Sequence, residues 1–232
     1  MARKTYFIAG TDTDAGKTVV TAGLLAAANQ QGLKTIGLKP VAAGCEQTEQ
    51  GLRNSDALLL QQTASVKLSY EQVNPVAFEP PIAPHIAAVQ VGHQLSADRL
   101  AAYCRGALMQ PADLALVEGA GGWRVPLNQR EMLSSLPKLL GTEVILVVGM
   151  KLGCLNHALL TAEAIARDGL RVAGWVANRI DPNMNCYQEN LDTLEGMFRA
   201  PLLGEVPYLD DPSPDNIAQY LNISNICGGA AV

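Results

Sequence analysis

The chain has 232 residues, 48% of them hydrophobic and 17% charged, a balance that fills a large core and excludes a disordered polymer. Seventeen basic residues against twenty-two acidic ones leave a net charge of −5 with no basic block, which argues against a surface that grips DNA or RNA. An uncharged apolar run such as Val144 to Met150 has the length of a buried strand, far short of the ~20 residues of a membrane helix.

Met1 to Gly10 is too short, and too soon ended by glycine, for a signal peptide. Thr5 to Ala9 predicts a strand that ends in a glycine-rich turn, and Lys17 to Gln30 a helix with Val20, Leu24, Leu25 and Ala28 inward. Thr35 to Val41 predicts a second strand. Asn74 to Pro84, with four prolines, predicts a loop. Helices are then expected at Ala97 to Met109, Glu131 to Leu140, Asn156 to Asp168 and Asn185 to Phe198, alternating with strands at Leu114 to Val117, Val144 to Val148, Val172 to Ala177 and Leu202 to Val206. Most of these strands are continuous apolar runs, as in a parallel sheet covered on both faces. The alternation predicts a single doubly wound α/β domain over residues 1–226, with residues 227–232 as a loose tail. Five scattered cysteines (Cys45, Cys104, Cys154, Cys186 and Cys227) without a Cys-x-x-Cys pair suit free thiols in a reducing cytoplasm.

The strongest motif is Gly10-Thr-Asp-Thr-Asp-Ala-Gly-Lys-Thr18, which follows the first strand and opens the first helix. Five residues separate Gly10 from Gly16, one more than the usual phosphate loop. The physics survives the extra residue: turn and helix-start N–H groups converge on an anion. Lys17 adds a positive charge for the terminal phosphates, and the Thr18 hydroxyl is a candidate magnesium ligand. The fold expectation is therefore of the P-loop NTPase type. Glu118 ends the strand Leu114 to Val117 and runs into Gly119-Ala-Gly-Gly122, at the sheet edge where open α/β folds bind ligands. Lys39 sits at another strand end, stiffened by Pro40, and either faces the phosphates or is solvated. Asp56 either N-caps a helix or helps hold the metal.

Together these residues resemble dethiobiotin synthetase, an ATP-dependent enzyme of biotin biosynthesis. The matching pieces are the long loop, Lys39-Pro-Val, Asn54-Ser-Asp-Ala-Leu58, Pro84-His85, Val117-Glu-Gly-Ala-Gly-Gly-Trp123, Val147 to His157, Gly174-Trp-Val-Ala-Asn178 and Pro201 to Pro207. The resemblance implies closure of a cyclic urea from 7,8-diaminononanoate, CO2 and MgATP, through a carbamate and a carbamic–phosphoric anhydride. It assigns Lys39, Lys17 and Thr13 to catalysis, and Thr18, Asp56 and Glu118 to Mg2+. It gives the nucleotide Asp14, Ala15, Gly16, Lys17, Thr18, Val19, Asp56, Glu118, Gly119, Ala120, Gly121, Asn178, Arg179, Pro207, Tyr208, Leu209 and Asp211. The diamine receives Thr13, Asp14, Lys39, Ala43 and Gly121. Gly153, Cys154, Leu155 and Asn156 open a helix that in the family comes from the partner subunit and takes the substrate carboxylate, which implies a homodimer with sites spanning the interface. Three positions depart from the family pattern: Ala43 replaces a hydroxyl residue, and Asp14 and Asp211 each replace a longer Glu.

Two other readings share the loop. A partition or septum-positioning switch ATPase usually carries a lysine five residues before the loop lysine, where this chain has Asp12. A glutamine-dependent amidotransferase of the cobyric acid type needs a further glutaminase domain, for which 232 residues leave no room.

Overall fold

A computed structural model describes residues 3–228. In chain order its elements are β1 (Lys4–Gly10), α1 (Lys17–Gln30), β2 (Thr35–Leu38), β3 (Val41–Ala42), β4 (Glu46–Thr48), β5 (Gly51–Arg53), α2 (Ser55–Thr63), α3 (Tyr70–Val73), β6 (Val76–Ala77) and α4 (Pro84–Gln90). There follow α5 (Ala97–Ala107), β7 (Leu114–Glu118), α6 (Ser135–Leu140), β8 (Glu143–Met150), α7 (Cys154–Arg167), β9 (Val172–Arg179), α8 (Tyr187–Met197), β10 (Leu202–Val206), α9 (Pro214–Ala218) and α10 (Ser224–Cys227).

Six strands form one sheet in the order β10-β9-β8-β1-β7-β2, and every pairing in it is parallel. Parallel neighbours need crossovers, and the helices that make them cover both faces. Alternate residues therefore enter two separate cores. Phe7, Ala9, Val117, Leu146 and Trp175 meet Leu100, Leu136, Ala158 and Leu194 of α5, α6, α7 and α8. Tyr6, Ile8, Leu116, Val147 and Val176 meet Leu24 and Leu25 of α1, Ile217 of α9 and Ile226 of α10. This explains why the strands read as unbroken apolar runs.

All six expected strands exist and α1 has the expected limits, but several boundaries differ. The run from Thr35 to Val41 is not one strand: β2 stops at Leu38. Pro40 has no N–H for the ladder, the Lys39 N–H turns to Val73 O (2.9 Å), and Val41–Ala42 pairs instead with Val76–Ala77. The expected Asn74 to Pro84 loop thus contains a short strand. The helix expected from Glu131 begins only at Ser135, because Asn128 Oδ1 accepts the Arg130 and Glu131 N–H groups in a local turn. Asp56 is not the N-cap of α2; Asn54 is, its Oδ1 accepting the Ala57 N–H at 3.2 Å. At the C-terminus, α10 takes in Cys227, the first residue of the expected tail, and residues 229–232 lie outside the described residues. All five cysteines are free. Among the described residues no helix is long and apolar enough to cross a membrane.

Helix α1 has Ala22, Gly23, Leu24, Leu25, Ala26, Ala27 and Ala28 all buried, so it is covered on more than its sheet-facing side. The second cover is α9, and the two meet at Gly23. A Cβ there would lie 2.3 Å from Ile217 Cγ2. Gly23→Ala should therefore cost about 1–3 kcal/mol through overpacking, read as a lowered urea midpoint at unchanged slope. An unchanged midpoint would show that the α1–α9 approach does not depend on this glycine.

Candidate active site

The chain leaves β1 at Gly10, the C-terminal edge of a central strand, and loops over residues 11–16 into α1. Three contacts hold the loop. The Thr11 N–H donates to Val147 O (3.0 Å), Thr11 Oγ1 accepts the Gly149 N–H (3.2 Å), and Asn178 Nδ2 donates to Ala15 O (3.0 Å). Gly16 sits in the left-handed region at φ 83°, and a Cβ on it would lie 2.0 Å from Asn178 Nδ2. Only glycine meets both demands. Gly16 also caps α1 without a side-chain hydrogen bond. The Val20 N–H is the first to reach back one turn, to Gly16 O (3.0 Å), so helix geometry leaves the N–H groups of Lys17, Thr18 and Val19 for an anion. Thr13 and Asp14 are exposed on the loop, with Asp14 at φ 59°, while Ala15 is buried and Val19 half-buried.

Lys17 folds back over the loop, its Nζ donating to Asp12 O at 3.2 Å. Burial, then the nearby Lys39 ammonium, pull its pKa below the ordinary lysine value. A bound phosphate would supply the missing counter-charge.

A second lysine lies beside it, held by two carboxylates. Lys39 Nζ donates to Glu118 Oε1 (2.6 Å) and Asp56 Oδ2 (3.0 Å). Thr18 Oγ1 donates to the same Glu118 oxygen at 2.7 Å. Glu118 is fully buried and Lys39 nearly so, while the Asp56 side chain is 40% exposed. Burial alone would lower the Lys39 pKa, but the carboxylates of Glu118 and Asp56 outweigh it and raise the net value. Glu118 Oε2 is buried with no hydrogen-bond partner. Thr18, Asp56 and Glu118 thus offer a hydroxyl, a half-open carboxylate and an unspent carboxylate oxygen, a hard-oxygen set that fits a divalent cation. Among the described residues no three His, Cys, Asp or Glu side chains gather into a metal site by themselves, so phosphate or water oxygens would have to complete the shell.

Lysines 17 and 39 open into one cavity of about 850 Å³. Of the expected site residues, Thr13, Asp14, Gly16, Thr18, Val19, Ala43, Asp56, Ala120 and Gly121 line it, and sequence reading missed Ala42, Asn54, the Pro81 to Pro84 wall, and Gly122 with Arg124 to Pro126. The proline cluster was legible only as a loop; its placement over the cavity is a tertiary fact. Gly119 lies beneath the cavity floor, buried, where a Cβ would lie 2.8 Å from Phe7 Cζ.

The other expected site residues lie elsewhere. Asn178 is buried and spends its amide on Ala15 O. Arg179 stacks over Tyr187 (4.7 Å) and donates to Pro182 O. Pro207, Tyr208, Leu209 and Asp211 form the segment after β10, where Tyr208 is exposed and Asp211 Oδ2 accepts from Asn216 Nδ2 at 3.1 Å. None of these six is among the residues lining the cavity. Gly153, Cys154, Leu155 and Asn156 are also not brought to it: Gly153 caps α7 at φ 93°, Cys154 is buried, and Asn156 is exposed.

Residues 4–216 match a family model described as an AAA domain. A relative from Cellvibrio japonicus (strain Ueda107), named ATP-dependent dethiobiotin synthetase BioD, is 60% identical over 97% of this chain and 98% of its own length. Relatives of the same name from Pseudomonas aeruginosa (strain UCBPP-PA14) and Marinobacter nauticus (strain ATCC 700491 / DSM 11845 / VT8) are 57% and 51% identical, over 94% and 97% of this chain and 96% and 98% of their own lengths. Among solved structures, a ParA family ATPase from Chlorobium tepidum TLS matches with TM-score 0.56 at 12% identity, covering 99% of this chain and 95% of that one. The MinC:MinD cell division complex of Aquifex aeolicus matches with TM-score 0.55 at 15% identity, covering 95% and 87%. Those two likenesses show a shared P-loop ATPase fold and nothing of its chemistry. The extent of the sequence matches leaves one assignment: the chain belongs to the ATP-dependent dethiobiotin synthetase family.

Proposed function

We propose that this chain closes the ureido ring of dethiobiotin from 7,8-diaminononanoate, CO2 and ATP, releasing ADP and phosphate. The observation that carries the reading is the pair of buried lysines, one on the phosphate loop and one on the Glu118–Asp56 carboxylates, facing a single cavity large enough for a nucleotide tail and a diamine.

The chemistry needs little covalent help from the protein. One substrate amine captures CO2 as a carbamate. A carbamate oxygen attacks the γ-phosphorus, ADP leaves, and a mixed carbamic–phosphoric anhydride forms. The second amine attacks the activated carbonyl and expels phosphate. Charge on the transferred phosphoryl oxygens must be held by fixed donors and cations. The loop amides and Lys17 hold the phosphates, and Lys39 swings from its carboxylates toward the carbamate and the phosphoryl group. Thr13, Asp14, Ala43 and Gly121 form the diamine side of the cavity. Magnesium, held by Thr18, Asp56 and Glu118, would supply further charge when bound. The adenine would lie beyond Gly16, between Asn178, Arg179 and the Pro207 to Asp211 segment.

We place the whole reaction in one domain, residues 1–226, acting as a cytoplasmic homodimer. Leu152, 92% exposed just before α7, and the absence of Gly153 to Asn156 from the lining of their own cavity support a second subunit there. The start of α7 would then receive the substrate carboxylate in the partner's site. Asp12 in place of a lysine, and its ion pair with Lys151 (3.6 Å), speak against a switch that acts across a dimer through that position.

Three outcomes are expected. The purified chain, given ATP, diamine and bicarbonate, releases phosphate in step with ring formation; ATP turnover indifferent to the diamine would reject the reading. Lys39→Gln lowers kcat on the order of 100-fold while ATP affinity changes little; an equal loss in both would reduce Lys39 to a binding residue. Finally, the free-state pKa of Lys17 is lowered and bound phosphate favours its charged form, so binding takes up a proton once pH reaches that lowered value. Nucleotide affinity should fall on the alkaline side, starting below the ordinary lysine pKa; titration calorimetry across pH checks this.

A further inference from the structure

Lys39 and Asp56 sit on different segments, and a buried hydrogen-bond relay joins those segments from behind. Tyr70, in the first turn of α3, accepts the Asn54 N–H on its hydroxyl (2.7 Å) and donates that hydroxyl to Asn74 Oδ1 (2.9 Å). Asn74 Nδ2 donates in turn to the backbone carbonyl of Lys39 (2.6 Å). The relay therefore runs from the N-cap of α2, two residues before Asp56, to the backbone of Lys39. Asn54, Tyr70 and Asn74 are 5%, 7% and 3% exposed, so water does not substitute readily for any link.

Both ends are fixed independently. Asn54 caps α2 through Oδ1, and its carbonyl accepts the Leu58 N–H at 3.0 Å. The Lys39 N–H is taken by Val73 O (2.9 Å), from the last residue of α3. Tyr70 is itself clamped: a Ser69–Gln72 capping box opens α3, and the Arg53 guanidinium lies over the ring at 4.1 Å. Helix α3 is one turn long and none of its own residues lines the cavity, yet it bonds to both segments that present Lys39 and Asp56.

We propose that the Tyr70 hydroxyl is a positioning residue for the Lys39–Asp56 pair, acting through Asn54 and Asn74. The proposal rests on the reading of Lys39 as the residue that serves the carbamate and the phosphoryl group. Deleting the hydroxyl leaves a buried N–H and a buried carbonyl oxygen unpaired, and the two segments relax relative to each other. A displacement of this kind costs the chemical step more than nucleotide binding, because the phosphate loop is held by other contacts, to Val147, Gly149 and Asn178.

The test is Tyr70→Phe, which keeps the ring under Arg53 and removes only the oxygen. Steady-state kinetics should show kcat for ring closure down at least tenfold, with KM for ATP within twofold of the parent. In lysine-selective 1H–15N spectra of the nucleotide-free protein, the Lys39 ammonium signal, identified by its loss in Lys39→Gln, should lose its protection from solvent exchange. A kcat within twofold of the parent, a parallel rise in KM for ATP, or an unchanged ammonium signal overturns the proposal. The spectroscopic arm needs no turnover, so it decides the matter even if the parent chain makes no ureido product. Should Tyr70→Phe fail to fold, amide exchange in the parent decides: the Asn54 N–H must exchange as slowly as the centre of β1, and fast exchange overturns the relay.

Discussion

Burying a carboxylate is costly unless a cation and hydrogen-bond donors are held against it, and at Glu118 these are the Lys39 ammonium and the Thr18 hydroxyl. Removing either partner of a buried carboxylate–ammonium pair costs roughly 3–5 kcal/mol, because the other is left buried and uncompensated. Three parts of the chain must converge to satisfy it. Strand β7 lies between β1 and β2, so the carboxylate at its end faces Thr18 at the start of α1 on one side and Lys39 after β2 on the other. Asp56, in the first turn of α2, closes the group from a fourth segment and keeps it partly open to solvent. The order of strands in the sheet is thus also the order of groups in the site.

Rigidity of the scaffold makes the arrangement usable. Helix α1 is sealed between the sheet and α9, so the helix start that cradles phosphate has little freedom to tilt. The loop before it is tied to β8 and β9 through Thr11 and Asn178. Function is concentrated where these fixed elements end, on the edge formed by the carboxyl ends of the strands, as the doubly wound topology favours. The cavity walls come from less regular segments: the Pro81 to Pro84 stretch and the turn from Ala120 to Pro126, Trp123 excepted. Beneath the second of these, Asp168 accepts from Trp123 Nε1 (2.9 Å) and from Arg124 Nη1 (2.6 Å), and so ties the glycine-rich turn to the end of α7. Its carboxyl is held below the usual range because the hydrogen bonds from Arg124 and Trp123 outweigh its desolvation.

The likeness to ParA and MinD structures reaches the fold and stops there. A P-loop α/β sheet presents amides and a lysine to phosphates whatever happens next. In this chain a second lysine, anchored on carboxylates of the same chain, opens with the loop lysine into one cavity. That suits transfer to a bound small molecule.

Local sequence was sufficient for the strands, the first helix and the phosphate loop, because each is specified by contiguous patterns: apolar runs, a glycine at a left-handed turn, and a lysine and threonine opening a helix. It was also sufficient to single out Lys39, Glu118 and Asp56 as candidates by type and position. Their roles relative to one another were not legible, since a lysine at a strand end is as consistent with solvent as with a carboxylate partner 79 residues away. Short elements such as β3, β6 and α3 escaped for the same reason: two or four residues carry no period, and their stability comes from partners distant in sequence. The Asn54–Tyr70–Asn74 relay is made of two asparagines and a tyrosine, which carry no local pattern that links them. Only the packing of the folded chain, which removes water and turns these polar groups toward one another, makes them one structure.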